Sequence, residues 1–147
     1  MFISETEIIV RYAETDRMGI VHHSNYPIWF EAARTDFIKN LGMSYSKIEE
    51  RGFMLPLIEL TCRYKGAARY EDRLIVKTCI RQMSYTRVTF YYEVFKCCDN
   101  SLITTGETVH AWTNKNLKPV NIKKHAPDIF ELLNKAVLYI VIIFLRW

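Results

Sequence analysis

Near residue 55 the spacing of apolar residues changes period, and that switch leaves few folds open to the chain. Before it, Trp29, Phe30, Ala33, Phe37, Ile38 and Leu41 recur at helical intervals, with Glu31, Arg34, Thr35 and Lys39 mostly on the opposite side. Asn25 reads as the helix cap, Pro27 fits the first turn, and Gly42 ends the helix after about four turns. A short helical stretch follows near 44–51. From residue 57 the period is 2: Ile58, Leu60, Cys62 and Tyr64 alternate with Glu59, Thr61, Arg63 and Lys65. Strands are predicted again over 74–82, 87–96 and 102–113, with a turn at 98–101 and a short closing helix over 128–135. Residues 3–12 supply a first strand. Consecutive hairpins imply an antiparallel sheet of about five strands, and the one amphipathic helix must cover a face of it. The class is α+β.

At 147 residues the chain can bury roughly 70% of the surface its unfolded form exposes, enough for one core. Half the residues are hydrophobic, and no repeat, linker or low-complexity tract divides the sequence. Residues 1–135 are expected to form a single domain. The formal charge of +4, from 20 Lys+Arg against 16 Asp+Glu, suits an anionic small molecule. The basic residues are scattered rather than gathered on one face, which argues against nucleic acid as a partner. The four cysteines form no C-x-x-C pair, and adjacent Cys97 and Cys98 would point apart on a strand, so reduced thiols in a cytoplasmic protein are expected. Glu5 and Glu7 interrupt the apolar start, unlike a signal peptide.

The stretch 136–145 (AVLYIVIIFL) is apolar at every position. Ten residues are too few for a transmembrane helix, which takes about 20. As a tail over 136–147 it could extend a terminal helix into a subunit contact, lie on a membrane surface, or be a product of the reading frame. These readings stay open.

The polar loop 13–25 (AETDRMGIVHHSN) carries the chemistry. A helix N-terminus offers unpaired N–H groups and partial positive charge, which can receive the oxyanion formed when a thioester carbonyl is attacked. Asp16, seven residues before His23, can fold back to face the same carbonyl. Spacing permits acyl transfer without selecting it, because an Asp before a helix is commonly a cap or a solvated loop residue. His22 reads as a loop histidine. A metal site from His22 and His23 is not expected, since adjacent side chains diverge and a third ligand is lacking. No cofactor is required.

Residues 11–34 (RYAETDRMGIVHHSNYPIWFEAAR) resemble the active-site signature of the 4-hydroxybenzoyl-CoA thioesterase family, in its YbgC-like acyl-CoA thioester hydrolase branch. The matching elements are Thr15-Asp16, Gly19-Ile20-Val21, His22-His23, Asn25-Tyr26 and Glu31-Ala32-Ala33-Arg34. Residues 64–72 (YKGAARYED) resemble that family's loop between its second and third strands, and the likeness extends over about 5–125. The resemblance implies a hotdog fold, with the sheet wrapped around the long helix. It implies acyl-CoA thioester hydrolysis, Asp16 acting as general base or as nucleophile and the His23 N–H as oxyanion donor. Lys65, Arg69 and Arg87 become candidates for the coenzyme A phosphates. The acyl group would lie between the helix and a neighbouring subunit's sheet, with Tyr45, Phe53, Met54 and Leu55 as candidate lining. Glu31 is read as a helix-dipole partner rather than a catalytic group. A homodimer or homotetramer is expected, and an acyl carrier protein is a possible donor partner. A dehydratase would need an H-x-x-x-P-G segment, absent here. A non-catalytic acyl-CoA or acyl-carrier-protein binder is the rival reading.

Overall fold

The computed structural model describes residues 2–145, with side chains described as far as Val137. Strand β1 (Ser4–Ile9) leads through a 3-10 turn (Tyr12–Glu14) and a loop into helix α1 (Asn25–Asn40) and the short α2 (Tyr45–Glu50). Strands β2 (Leu57–Tyr64), β3 (Arg73–Met83), β4 (Arg87–Lys96) and β5 (Leu102–Ala111) follow, then α3 (Ile122–His125) and α4 (Pro127–Leu145). The five strands form one antiparallel sheet in the order β1-β3-β4-β5-β2. This is the α+β class that the residues implied and the hotdog arrangement that the family resemblance implied.

Helix α1 forms where expected and ends as expected. Gly42 takes φ +95°, a conformation costly for residues with a Cβ, and its N–H donates to Lys39 O while Met43 N–H donates to Ile38 O. Its start differs. Ser24, not Asn25, is the cap position and makes no side-chain cap bond. The Asn25 side chain lies in the first turn and donates to Glu14 O and His22 O, tying the preceding loop to the helix.

The helix is seated on the sheet by one ring. Phe30 stacks on Tyr92 with centroids 4.3 Å apart, and it lies against Gly106 so closely that a Cβ there would fall 2.4 Å from the ring. Around it Ala33, Phe37, Ile38, Leu74, Val76, Phe90 and Val94 are fully buried. The Phe37–Phe90 edge contact adds about 0.5–1.5 kcal/mol beyond area burial.

Two expectations about strands are corrected. The first strand stops at Ile9 rather than running to Tyr12, because Glu14 Oε1 takes the Arg11 N–H and curls the chain into the 3-10 turn. The strands are also not all joined by hairpins to their neighbours. β2 pairs with β5 at the far edge, so the segment 65–72 crosses from one side of the sheet towards the other. Local alternation fixes a strand's faces but carries no record of its neighbour.

The closing helix is longer than the predicted 128–135: α4 runs from Pro127 to Leu145 and buries Ile129, Leu133 and Ala136. The contacts anticipated for the tail beyond Val137 lie outside the described side chains. Among the described residues, no helix is long and apolar enough to cross a membrane.

Candidate active site

The loop from the 3-10 turn to α1 is a tight hairpin held by its own backbone. Thr15 bridges Val21, Asp16 N–H donates to Ile20 O at 2.8 Å, and Gly19 N–H donates to Asp16 O at 2.9 Å. Gly19 adopts φ +76° at the tip. The crossover segment backs the hairpin, since Val21 N–H donates to the carbonyl of buried Ala68 at 2.8 Å.

Glu14 anchors this hairpin, a role that reading the sequence missed. The residue is 3% exposed. Its carboxylate accepts the Arg11 N–H (2.8 Å) and the Trp29 indole N–H (2.8 Å), and its carbonyl accepts the His22 N–H (2.9 Å). Burial pushes its pKa up, but the Arg11 amide, the Trp29 indole and the Arg11 charge together outweigh this and hold it below the ordinary value. The available signal was a carboxylate two residues before Asp16, three after an arginine and fifteen before a tryptophan.

Asp16 is half-buried at the hairpin. Its Oδ1 accepts the Met18 N–H at 2.8 Å, and among the described residues its other oxygen has no protein donor. His23 stands at the entrance to α1 with an exposed side chain. Its carbonyl accepts the Tyr64 hydroxyl at 3.1 Å, and no acceptor takes its N–H among the described residues. Buried Tyr26 packs edge-on against Trp29 and Tyr64 under the loop. His22 Nδ1 accepts the Ser24 hydroxyl (2.7 Å) and the Ser24 N–H (3.3 Å). The two imidazoles were expected to diverge; their centroids are 4.1 Å apart, because 23–24 form a turn rather than a strand. Among the described residues no three His, Cys, Asp or Glu side chains gather as metal ligands.

The candidate phosphate-binding residues separate. Arg69 reaches the hairpin, its Nη1 3.5 Å from Gly19 O, whereas Lys65, its N–H bonded to Ile103 O, lines a cleft on the sheet with Thr61, Arg63, Arg81 and Glu107. Arg87 pairs with Ala111 at the other end of β5. Eight residues of strand between 103 and 111 put Arg87 roughly 26 Å from the loop end.

A second polar cluster runs beneath the middle of α1. Arg34 Nη1 donates to Tyr92 Oη (3.1 Å), Tyr92 and Thr108 hydroxyls meet at 2.7 Å, and Thr108 Oγ1 lies 2.9 Å from His110 Nε2. His110 Nδ1 is 3.0 Å from Leu55 O. A carbonyl can only accept, so Nδ1 carries a proton; with the imidazole neutral, Nε2 then accepts from Thr108, Thr108 accepts from Tyr92, and Tyr92 accepts from Arg34. The chain of donors has one direction and needs a neutral His110. Burial lowers the imidazole pKa to about 4; the Arg34 charge lowers it too, against the opposing bond to Leu55.

Residues 10–131 match the family described as the Thioesterase-like superfamily, and the chain belongs to it. It is 39% identical to a DHNA-CoA thioesterase from Staphylococcus aureus, whose structure superposes with a TM-score of 0.87 over 92% of this chain and 91% of that one. A Bacillus subtilis relative named "Putative acyl-CoA thioesterase YneP" is 34% identical over 92% of this chain and 99% of its own. The Escherichia coli acyl-CoA thioester hydrolase YbgC is 27% identical over 68% of this chain and 74% of its own. The protein is a thioester hydrolase.

Proposed function

We propose that the protein hydrolyses acyl-CoA thioesters to a free carboxylic acid and coenzyme A. The single observation carrying this reading is a pair of unused groups on one braced hairpin and helix entrance: among the described residues an Asp16 oxygen has no donor and the His23 N–H has no acceptor. Asp16 takes a proton from water as the water oxygen attacks the thioester carbonyl. The His23 N–H receives the oxyanion, and such a donor is worth about 10²–10³ in rate. Collapse of the intermediate breaks the C–S bond, and the thiolate leaves and takes up a proton. In the alternative course Asp16 itself attacks, the C–S bond breaks with release of the thiolate, and water then opens the mixed anhydride to give the acid and return Asp16. The names of the Staphylococcus and Bacillus relatives support a coenzyme A thioester as substrate; an acyl carrier protein is the other donor such chemistry accepts.

Arg69 lies against the hairpin and suits the coenzyme A phosphates, Lys65 at the end of β2 is a further candidate, and the position of Arg87 favours that role only across a subunit boundary. A homodimer, itself the unit of any tetramer, is proposed through β2. Its edge is unpaired, and Leu57, Ile58 and Tyr64 are each about half exposed (52%, 48% and 49%), a poor surface to leave in water. Residues 1–135 supply every group used here. Four unpaired cysteines fit a reducing, cytoplasmic setting.

Asp16→Asn tests the reading. The variant is expected to fold, to bind a thioester and to lose about 10²–10⁴ in kcat. Near-normal release of free thiol from acyl-CoA by the folded variant overturns it.

A further inference from the structure

Two side chains from different elements converge on the peptide groups around His23. The first is Asn25, in the opening turn of α1. Its side-chain nitrogen donates to Glu14 O at 2.9 Å and to His22 O at 3.1 Å. Carbonyl oxygens only accept, so the group between them is the NH₂ and not the amide oxygen. Each of these carbonyls already has a backbone donor. Glu14 O takes the His22 N–H at 2.9 Å, and His22 O takes the Asn25 N–H at 3.0 Å. Neither needs the side chain in order to be satisfied; what the side chain adds is direction.

The His22 carbonyl and the His23 N–H belong to one planar peptide group and point in opposite directions. Two donors on that carbonyl therefore fix where the N–H points. The same NH₂ holds Glu14 O, two residues before Asp16, so one carboxamide ties the Asp16 hairpin to the amide that faces the substrate.

The second side chain is Tyr64, at the end of edge strand β2. Its hydroxyl donates to His23 O at 3.1 Å, and its ring packs edge-on against buried Tyr26 with centroids 5.3 Å apart. In a regular helix His23 O would receive the N–H of residue 27, four positions on. Residue 27 is proline and has none. A hydroxyl from the sheet stands in for the missing helix bond. The peptide after His23 is thus tied to β2, as the one before it is tied to the hairpin.

We propose that Asn25 and Tyr64 are positioning residues for thioester hydrolysis, holding the peptide groups on either side of His23 so that its N–H and the Asp16 carboxylate meet the same carbonyl. Neither touches the reacting atoms. Phe30 seats α1 as a body, and these two groups set the peptides at its entrance. A misplacement of about 1 Å can cost on the order of 10²-fold in rate, so such a clamp matters more to turnover than to the fold. The inference rests on the acyl-CoA thioesterase reading and adds two residues to it.

Asn25→Asp separates this role from helix initiation. Aspartate is as good as asparagine at a helix start and complements its partial positive charge, but it has no N–H for Glu14 O or His22 O. Tyr64→Phe keeps the ring and removes the donor. Both variants and the wild type are assayed for kcat and KM on a panel of acyl-CoA thioesters by release of free thiol, at a temperature below each measured Tm. In each variant kcat is expected to fall about 5–50-fold with KM within about twofold, the pattern of an interaction used in the transition state. Should Asn25→Asp fail to fold, Tyr64→Phe decides alone. A folded Asn25→Asp or Tyr64→Phe protein with kcat within about twofold of wild type overturns the inference. A raised KM with unchanged kcat overturns it too, since that marks a contact to substrate. Both results leave thioesterase activity intact. Wild-type protein that hydrolyses no member of the panel instead removes the proposed function, and this inference with it.

Discussion

Glu14 and Asp16 are two carboxylates of one loop, two residues apart, and the fold treats them in opposite ways. Glu14 is buried and both of its oxygens are occupied, by a backbone amide and an indole. Asp16 is half-exposed, with one oxygen closing a local turn and the other left over. A buried charge persists only where its partners repay its desolvation, so Glu14 is committed to holding the loop. A general base or nucleophile needs an oxygen that water or substrate can reach, and of the two carboxylates only Asp16 is exposed enough to offer one. Chemistry and scaffold are thus divided between neighbours rather than shared by one residue.

Exchanging the two roles breaks this comparison most forcefully. Asp16→Asn should cost catalysis by the factor given above with Tm nearly unchanged, since the amide oxygen can still accept from Met18. Glu14→Gln should do the reverse first: about 1–3 kcal/mol of stability, read as a Tm several degrees lower, because an amide NH₂ must then face a donor. Equal loss of Tm in both variants would erase the distinction.

Acid titration sharpens it. The folded Glu14 pKa lies below its ordinary 4.5, so its contribution to stability is complete above about pH 4.5 and is lost as pH falls through the lowered value. His110 acts in a higher window. Its pKa drops from 6.5 to about 4, so the unfolded chain takes up the proton first and stability declines as pH falls from 6.5 to 4. Urea unfolding at pH 7, 6, 5 and 4 should show that decline, on the order of 1–3 kcal/mol, and His110→Gln should flatten it. A Glu14→Gln protein should keep the His110 decline and lose the part below pH 4.5.

Gly19→Ala has a smaller effect, about 1 kcal/mol, from the positive φ at the hairpin tip. Its Cβ would meet Arg69 Nη1 at an ordinary 3.6 Å, so kcat should fall through displacement of Asp16 rather than through a clash. Smallest of all, Arg51→Ala removes an exposed two-pronged pair with Asp128 (2.6 and 2.9 Å), remote from the loop; under 1 kcal/mol and unchanged kcat are expected.

The sequence was legible where the controlling interactions are local. The period of α1, its stop at Gly42 and the turn after β4 all depend on neighbours a few residues away, and each formed; β2 formed as a strand, but its burial does not alternate, because at the sheet edge all of its residues except Cys62 are exposed. The edge position of β2 was not legible, because pairing with β5 joins residues some 40–50 apart. Asp16 and His23 stood out through motif order, and the structure sets them on one hairpin and helix entrance. Glu14 did not, since its partner Trp29 reads equally well as plain core. Arg34 looked like a solvated helix face; only the Tyr92 contact, 58 residues distant, reveals that it points inward.

The notch at Gly106 has a consequence for the amides at the helix entrance. With its ring lodged where a side chain would stand, Phe30 works like a key in a shaft: α1 can neither slide along the sheet nor roll without ejecting it. Phe30 lies five residues, about 7 Å of rise, from Asn25. The aim of the His23 N–H is therefore set from the middle of the sheet, by an atom that a glycine does not have.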